Sequence, residues 1–228
     1  MREYAIGTLI DFDPGLGAPL RALLAEAGSP LIKLPGNIIY HQNDPATDIF
    51  LLSEGRAKSV LTQPSGEATL LRLHLPQSLL GLSALSSHGQ RDADAIAMTP
   101  VELVAIPVAR FRHLMATNTD LTESVIRTLV DRMSDFHHRV AGLVDAPIRQ
   151  RLAAAMMSLS RPVAASHADA HDAPIALTQQ DLADLIGARR PTVSSELKRL
   201  ESAELIARTT DGIVVRDATA LRRLAFGG

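Results

Sequence analysis

The chain has 228 residues, 46% of them hydrophobic, with no cysteine and a formal net charge of −2. The absence of cysteine excludes disulfides and a cysteine-bound iron–sulfur cluster. No apolar stretch has the length of a membrane span and the N-terminus lacks a secretory pattern, so we expect a cytoplasmic globular protein without a membrane partner. Residues 1–145 carry 12 Lys/Arg against 16 Asp/Glu and residues 146–228 carry 11 against 9, so the C-terminal third is the basic part.

The first half of the chain has the pattern of one helix followed by many short strands. Leu16, Leu20, Leu23 and Leu24 have helical spacing. From Pro30 onward, short apolar runs alternate with Gly, Pro, Asn and Asp turn residues. The predicted strands are Ile38–Tyr40, Ile49–Leu52, Ala57–Leu61, Ala68–Leu73, Asp94–Met98 and Val101–Ile106. Many short strands at regular spacing predict an antiparallel barrel or sandwich.

A long helix with one apolar seam follows the strands. The seam residues occur at alternating steps of three and four: Ile126, Leu129, Met133, Phe136, Val140 and Leu143. This spacing predicts a helix over Leu121–Leu143, roughly 34 Å long, and favours a two-stranded coiled coil between identical subunits over packing within one domain. Asp145-Ala146-Pro147 predicts a break, a further helix extends from Ile148 to about Leu159, and Ser160–Pro174 is predicted to be an exposed loop.

The C-terminal region has the ordered signals of a winged helix-turn-helix. Thr178 and Asp181 have the spacing of a capping box, which begins a short helix. Gly187 follows where a left-handed residue allows a sharp turn, and Pro191 stands where the first turn of a second helix accepts proline. Val193, Leu197 and Leu200 give that helix an apolar inner face, and Asp211-Gly212 between apolar runs predicts a β-hairpin wing. A helical hairpin without a nucleic-acid partner is the alternative.

The outer face of the second helix has the residue types that DNA binding requires. A helix in the major groove needs small polar and basic side chains: arginine and lysine meet phosphates or guanine, and serine and threonine donate to phosphate oxygens. We therefore predict DNA contacts by Thr178, Gln179, Arg189, Arg190, Thr192, Ser194, Ser195 and Lys198.

These motifs resemble the cyclic-AMP receptor/fumarate-nitrate regulator (CRP/FNR) superfamily over nearly the whole chain. The resemblance rests on Pro35-Gly36 through Asp44, Glu54-Gly55, Ser65-Gly66-Glu67, Leu121–Leu143, Arg151-Leu152-Ala153, and Thr178–Leu200 followed by Glu204-Leu205-Ile206. It implies an α+β protein with an N-terminal antiparallel, jelly-roll-like β-roll sensor domain (1–120), a dimerisation helix and hinge (121–146) and a C-terminal winged helix-turn-helix (147–228). It also implies a homodimer on a near-palindromic double-stranded DNA site, with RNA polymerase and a small-molecule effector as further partners.

The resemblance is weaker at the residues that would bind the effector. Members that bind cyclic AMP carry Gly-Glu and then Arg-Ser, and they reach the base from a Thr-Ser pair on the dimer helix. The equivalent positions here are Gly81-Leu82, Arg91-Asp92 and Phe136-His137. The Asp in place of Ser would repel a phosphate, so cyclic AMP is not expected as the ligand. The residues predicted to meet another effector are Gly81, Leu82, Ser83, Arg91, Asp92, Phe136 and His137. For Arg91 an anion ligand and a solvated surface position are both open.

The recognition helix also departs from the family pattern. Members that read the best-known half-sites have an Arg or Ser, a Glu, and a second Arg four residues after the Glu. This chain has Arg190, Pro191 and Ser195 there. The acceptor for cytosine and one bidentate guanine donor are therefore missing, and the recognised DNA sequence is open.

The sequence also contains residues that other chemistries would use. Haem binding, which gas-sensing members of the family show, would need histidine ligands from among His41, His74, His113, His137 and His138. His167 and His171 with Asp169 and Asp172 have metal-like chemistry, but a solvated loop is favoured and no metal site is predicted. No catalytic residues are identified, so we expect no enzyme. An effector-independent regulator and a dimeric protein-interaction module without DNA binding are the remaining alternatives.

Overall fold

A computed structural model describes residues 10–11, 16–64, 68–160, 174–175, 177–210 and 212–226, with side chains for all except 10, 11, 138–145 and 158. Two compact units are present, Ile10–Arg132 and, at the C-terminal side, Met133–Gly228. Helix α3 (Thr119–Asp145) contributes residues to both. The division into 1–120, 121–146 and 147–228 stays a prediction.

The N-terminal unit is built from two β-sheets and the helices that cover one of them. Its elements are β1 (Ile10–Asp11), α1 (Ala18–Ala27), β2 (Ser29–Lys33), β3 (Ile38–Tyr40), β4 (Asp48–Glu54), β5 (Ala57–Thr62), β6 (Ala68–His74), β7 (Leu79–Leu80), a short 3-10 helix (Leu82–Leu85), β8 (Asp94–Ala97), β9 (Val101–Pro107), α2 (Val108–Thr117) and the start of α3. One sheet has the order β1-β6-β5-β8-β3 and the other β2-β9-β4-β7. Strand pairing is antiparallel except between β1 and β6. This arrangement confirms the predicted antiparallel β-roll.

Strand β4 shows how the two sheets and the helices share their cores. Four consecutive residues, Ile49 to Leu52, are buried, so both faces of the strand are covered. Ile49 and Leu51 belong to a cluster with Phe111 of α2 and Leu121 of α3. The alternate residues Phe50 and Leu52 belong to a second cluster with residues of β5 and β8. Because side chains alternate across a strand, the four-stranded sheet lies between the helices and the five-stranded sheet.

The strands that were not predicted from the sequence include one at a sheet edge, β2, and one of only two residues, β7. β2 begins at Ser29 and contains Pro30, which is acceptable because β2 pairs only with β9 and so lies at a sheet edge. β7 has only two residues, Leu79 and Leu80, which is too short for a periodic signal. The six predicted strands are all present, with β8 ending at Ala97 instead of Met98.

Helix α3 confirms the predicted long helix and extends it at both ends. It begins at Thr119 because the Asn118 side-chain oxygen accepts a hydrogen bond from the Leu121 backbone N–H at 2.9 Å, an N-cap that the sequence reading overlooked. Its 27 residues correspond to a length of about 40 Å.

Among its described residues, the C-terminal unit continues with four helices and a hairpin. Its elements after α3 are α4 (Ile148–Leu159), α5 (Gln179–Ile186), α6 (Arg190–Ser202), β10 (Ile206–Thr209), β11 (Gly212–Val215) and α7 (Ala218–Phe226). Helix α4 packs against α5, α6 and α7, and β10 pairs antiparallel with β11. The predicted order of helix, turn, helix and wing is confirmed, whereas α7 was not predicted.

Candidate nucleic-acid interface

The first helix of the motif begins and ends with the predicted local chemistry. The Thr178 hydroxyl oxygen accepts from the Asp181 backbone N–H at 3.0 Å, and the Asp181 carboxylate accepts from the Thr178 backbone N–H at 3.2 Å. These two bonds form the capping box and satisfy helix N–H groups that have no partner within the helix. Gly187 ends α5 in the left-handed region, with φ of 61°. The capping-box and turn predictions are both confirmed.

Helix α6 separates an apolar inner face from a polar and basic outer face. Val193, Leu197 and Leu200 are at most 2% exposed. Pro191 lies in the first turn, where its missing N–H leaves no intrahelical bond unmade. Apart from Pro191, the exposed side chains from Arg189 to Ser202 are polar or basic: Arg189, Arg190, Ser195, Lys198, Arg199 and Ser202. Such a surface can meet phosphates and base edges without burying apolar groups against them.

The predicted DNA contacts differ in side-chain exposure and in hydrogen bonding within the chain. Arg189, Arg190 and Lys198 are exposed, whereas Thr192 and Ser194 are partly buried. Three more of the predicted contacts are Thr178, Gln179 and Ser195. Thr178 is exposed but its hydroxyl donates to Asp181 at 2.7 Å, and the Ser195 hydroxyl donates to the Pro191 carbonyl at 3.1 Å. Gln179 is partly buried at the start of α5. Arg189, Arg190 and Lys198 are thus the members of the set that combine exposure with a positive charge.

A buried carboxylate holds α6 to α4, and sequence reasoning missed it. Glu196 is 8% exposed. One of its oxygens accepts from Arg149 Nε of α4 at 2.8 Å, and the other from Arg199 Nη1 at 2.5 Å. The hydrogen bond from Arg149 is the main cause that holds the pKa of Glu196 below its usual range, with both positive charges adding to it. No local pattern could have revealed the Arg149 contact, because its partner lies 47 residues away.

The wing is anchored to the end of α6. Arg208 of β10 donates from Nε and Nη2 to one carboxylate oxygen of Glu201, at 2.9 and 2.6 Å. Ile175 adds a short bridge to the hairpin by exchanging two backbone hydrogen bonds with Ile213. Asp211, the predicted turn residue, lies outside the described residues.

Helix α3 exposes a row of apolar side chains that coincides with the predicted dimer seam. In the single chain, Ile126 is 53% exposed, Leu129 43%, Met133 53% and Phe136 61%, and Val130 beside them is 48% exposed. Val140 and Leu143 lie outside the residues with described side chains. Exposed apolar residues recurring on one helix face are typical of a surface that another chain covers.

Arg91 lies inside the β-roll, so the interpretation of Arg91 as a solvated surface residue is wrong. Its side chain is 3% exposed. Nη1 donates to the Gly81 carbonyl at 3.1 Å and Nη2 to the Asp48 carbonyl at 2.7 Å. The guanidinium also lies 4.2 Å from the Tyr40 ring centre and 5.5 Å from that of Phe50. Burial raises the pKa of Tyr40 to about 12, and the nearby positive charge of Arg91 opposes that rise. The cation is therefore held by carbonyls and aromatic rings of its own chain.

The other predicted effector residues fall in both units. Gly81 has φ of +76°, so a side chain there would be strained, and its Cβ would force Arg91 Nη1 to move. Leu82 is buried, and the buried Ser83 hydroxyl has no hydrogen-bond partner among the described residues. Asp92 is exposed. Phe136 and His137, both exposed, lie in the C-terminal unit with ring centres 6.5 Å apart.

The histidines give no support for a metal site within the part of the chain described. No group of three or more His, Cys, Asp or Glu side chains is arranged to hold a metal ion there. His74 is buried, and its Nε2 lies 2.7 Å from the Ser59 hydroxyl. The His41 ring lies 3.4 Å from Asp94. His167 and His171 lie outside the described residues, as does the side chain of His138. Among the described helices, none has the length and apolar character to cross a membrane.

Comparison with protein families divides the chain into two known domain types. Residues 34–118 match the cyclic nucleotide-binding domain, and residues 123–224 match the Crp-like helix-turn-helix domain. The CRP-like cAMP-activated global transcriptional regulator of Mycobacterium tuberculosis is 23% identical over 83% of this chain and 85% of its own length. The global nitrogen regulator of a Nostoc species is 25% identical over 94% of this chain and 98% of its own length.

Solved structures share the fold at low sequence identity. FixK2 from Bradyrhizobium japonicum has a TM-score of 0.75 and 17% identity, over 88% of this chain and 98% of its own. The c-di-GMP-responsive global regulator CLP of Xanthomonas campestris has a TM-score of 0.72 and 18% identity, over 88% and 100%. The fold of this chain is therefore shared with these two solved proteins.

Proposed function

Because the chain belongs to the CRP/FNR superfamily of transcription regulators, we propose that it binds a near-palindromic double-stranded DNA site as a homodimer. The observation that carries the proposal is the exposed outer face of α6, which is polar and basic over an apolar inner face. Two such helices, one from each subunit, would enter successive major grooves about 34 Å apart.

The roles of the side chains follow from their exposure and chemistry. Arg190, at the first position of α6, is the best placed to reach a base edge, because the N-terminal residues of a recognition helix contact bases. Lys198 lies two turns further along and suits a phosphate. Arg189, Thr192, Ser194 and Ser195 would add phosphate or base contacts, and Thr178 and Gln179 would anchor the DNA backbone near the start of α5.

The homodimer is proposed on the apolar face of α3. The exposed residues Ile126, Leu129, Met133 and Phe136 support it, and the same face of a second α3 would cover them. Val140 and Leu143 would continue the seam. We further propose RNA polymerase as a partner, a cytoplasmic location beside the chromosome, and no catalytic activity.

For the β-roll there are two candidates. One is control by a small-molecule effector other than cyclic AMP, with Gly81–Ser83 and Arg91-Asp92 as its proposed contacts in the β-roll. The other is a regulator that needs no effector. The contacts of Arg91 favour the second, because both terminal nitrogens of its guanidinium are already bound to carbonyls of the chain.

Selection from random-sequence duplexes with the full-length protein tests the DNA-binding proposal. The expected result is an enriched site with two inverted half-sites about one helical turn apart. Arg190→Ala should weaken the enrichment, and Arg223→Ala, which replaces an exposed arginine on α7 of the same unit, should keep it. An unenriched pool from the wild type would contradict the proposal and favour a protein-interaction module.

A further inference from the structure

We propose that three arginines of this chain replace a bound effector. Their hydrogen bonds fix the conformation of one segment of the β-roll. The segment is Leu79–Leu85, which comprises β7 and the 3-10 helix, and we call Arg91, Arg112 and Arg132 the arginine clamp. With the clamp closed, the β-roll is set for DNA binding without a bound small molecule. The inference rests on the proposed DNA-binding function and names its regulation.

The clamp consists of three guanidinium–carbonyl bonds within six residues. Leu79 O accepts from Arg132 Nη2 at 2.7 Å. Gly81 O accepts from Arg91 Nη1 at 3.1 Å. Ala84 O accepts from Arg112 Nη2 at 3.2 Å. The three donors come from the loop before β8, from α2 and from α3, so three separate elements hold one short segment.

Arg91 contributes two hydrogen bonds here, while its buried Nε has no hydrogen-bond partner among the described residues. Besides Gly81 O it binds the Asp48 carbonyl, and the rings of Tyr40 and Phe50 lie against it. A ligand that drew the guanidinium away from this position would cost the Gly81 and Asp48 carbonyls one charge-assisted hydrogen bond each. The absence of a Cβ at Gly81 is what lets the guanidinium approach the segment. The two carbonyls therefore hold the guanidinium at the segment without a bound phosphate.

Arg112 and Arg132 connect the segment to the helices that lead to the dimer seam. Arg132 lies on α3, one residue before Met133, and Met133 belongs to the exposed apolar row. Any shift of Leu79–Leu85 against α2 or α3 would break a bond to a buried or partly buried carbonyl. A ligand shifts a conformational equilibrium only by binding one state better than the other. The hydrogen bonds of the arginine clamp belong to the chain itself, so they bias the same conformational equilibrium without a ligand.

The test measures DNA affinity and amide hydrogen exchange on the same full-length proteins. The clamp variants are Arg91→Lys, Arg112→Gln and Arg132→Gln. The matched control is Arg110→Gln, on the same helix as Arg112, whose guanidinium meets the Glu26 carbonyl at 3.4 Å, outside the segment. Arg132→Lys, which retains a charge and donors, serves as a second variant should Arg132→Gln fail to fold.

The clamp predicts three results together. Wild type binds its selected duplex without any effector, and cyclic AMP, cyclic GMP and cyclic di-GMP change that affinity by less than about twofold. The clamp variants bind about tenfold more weakly, which corresponds to about 1.4 kcal/mol. Their amides in Leu79–Leu85 exchange faster, while Arg110→Gln matches the wild type.

Two results would overturn the clamp. One is a cyclic nucleotide that raises wild-type DNA affinity about tenfold or more. The other is clamp variants that retain both wild-type affinity and wild-type exchange. A wild type that selects no duplex at all contradicts the proposed function instead, and the exchange rates of Leu79–Leu85 then still decide whether the three bonds hold the segment.

Discussion

Replacing Glu196 by Gln tests how the recognition helix α6 is held in place. The substitution keeps the side-chain size and removes the negative charge that both Arg149 and Arg199 bind. Breaking a fully buried ion pair costs about 3–5 kcal/mol. Here the Arg149 side chain is 45% exposed and that of Arg199 64%, so water solvates the guanidiniums once the carboxylate is lost. We therefore expect the opening free energy of α6 to fall by about 1–2 kcal/mol.

The stabilisation that Glu196 contributes should decrease as the pH falls. The folded pKa of Glu196 is lowered, chiefly by the Arg149 hydrogen bond. The stabilisation is present above the unfolded pKa of about 4.3 and is lost as the pH falls through the lower folded value. Wild type and Glu196→Gln should thus differ at neutral pH and converge in acid.

Hydrogen exchange of the α6 amides provides the assay. Glu204→Gln is the control, since Glu204 is exposed just beyond the helix. A double-mutant cycle with Arg149→Gln should give a coupling energy of about 1 kcal/mol. The reasoning is refuted by a Glu196→Gln protein with wild-type α6 exchange at neutral pH, or by a difference that persists unchanged in acid.

Three further predictions concern the dimer, the DNA contacts and the turn. Met133→Glu places a charge in the α3 seam and should convert a dimer to a monomer, as measured by light scattering. Asp131→Ala, which changes an exposed residue on another face of the helix, should leave the dimer intact. A Met133→Glu protein that is still dimeric would contradict the proposed seam. Arg190→Ala should cost about 1–3 kcal/mol of specific DNA affinity, and Lys198→Ala should lower the slope of log affinity against log salt by about 1 in gel-shift titrations; unchanged titrations would remove both residues from the interface. Gly187→Ala forces a side chain into the left-handed region and should destabilise the C-terminal unit by about 1–2 kcal/mol in denaturant unfolding, and an unchanged midpoint would show that the turn tolerates a Cβ.

Local signals explain why the helix-turn-helix was predictable from sequence. A capping box depends on residues three apart, and a left-handed turn on a single glycine, so Thr178, Asp181 and Gly187 carried their own structural information. The apolar spacing of Val193 and Leu197 likewise defined the inner face of α6.

Contacts between distant residues explain what the sequence did not reveal. The Glu196–Arg149 pair and the contacts of Arg91 with Asp48 form only after the chain has folded. An arginine in a loop before β8 looks the same in sequence whether it meets solvent, an anion or a carbonyl. Its burial depends on Tyr40 and Phe50, which come from two other strands.

Hydroxyl-radical footprinting of the full-length protein on its selected duplex tests the central claim most directly. Two identical subunits that each place α6 in a major groove should protect two patches related by a twofold axis and separated by about one helical turn. A single protected patch, or no protection at a protein concentration that saturates binding, would contradict the account.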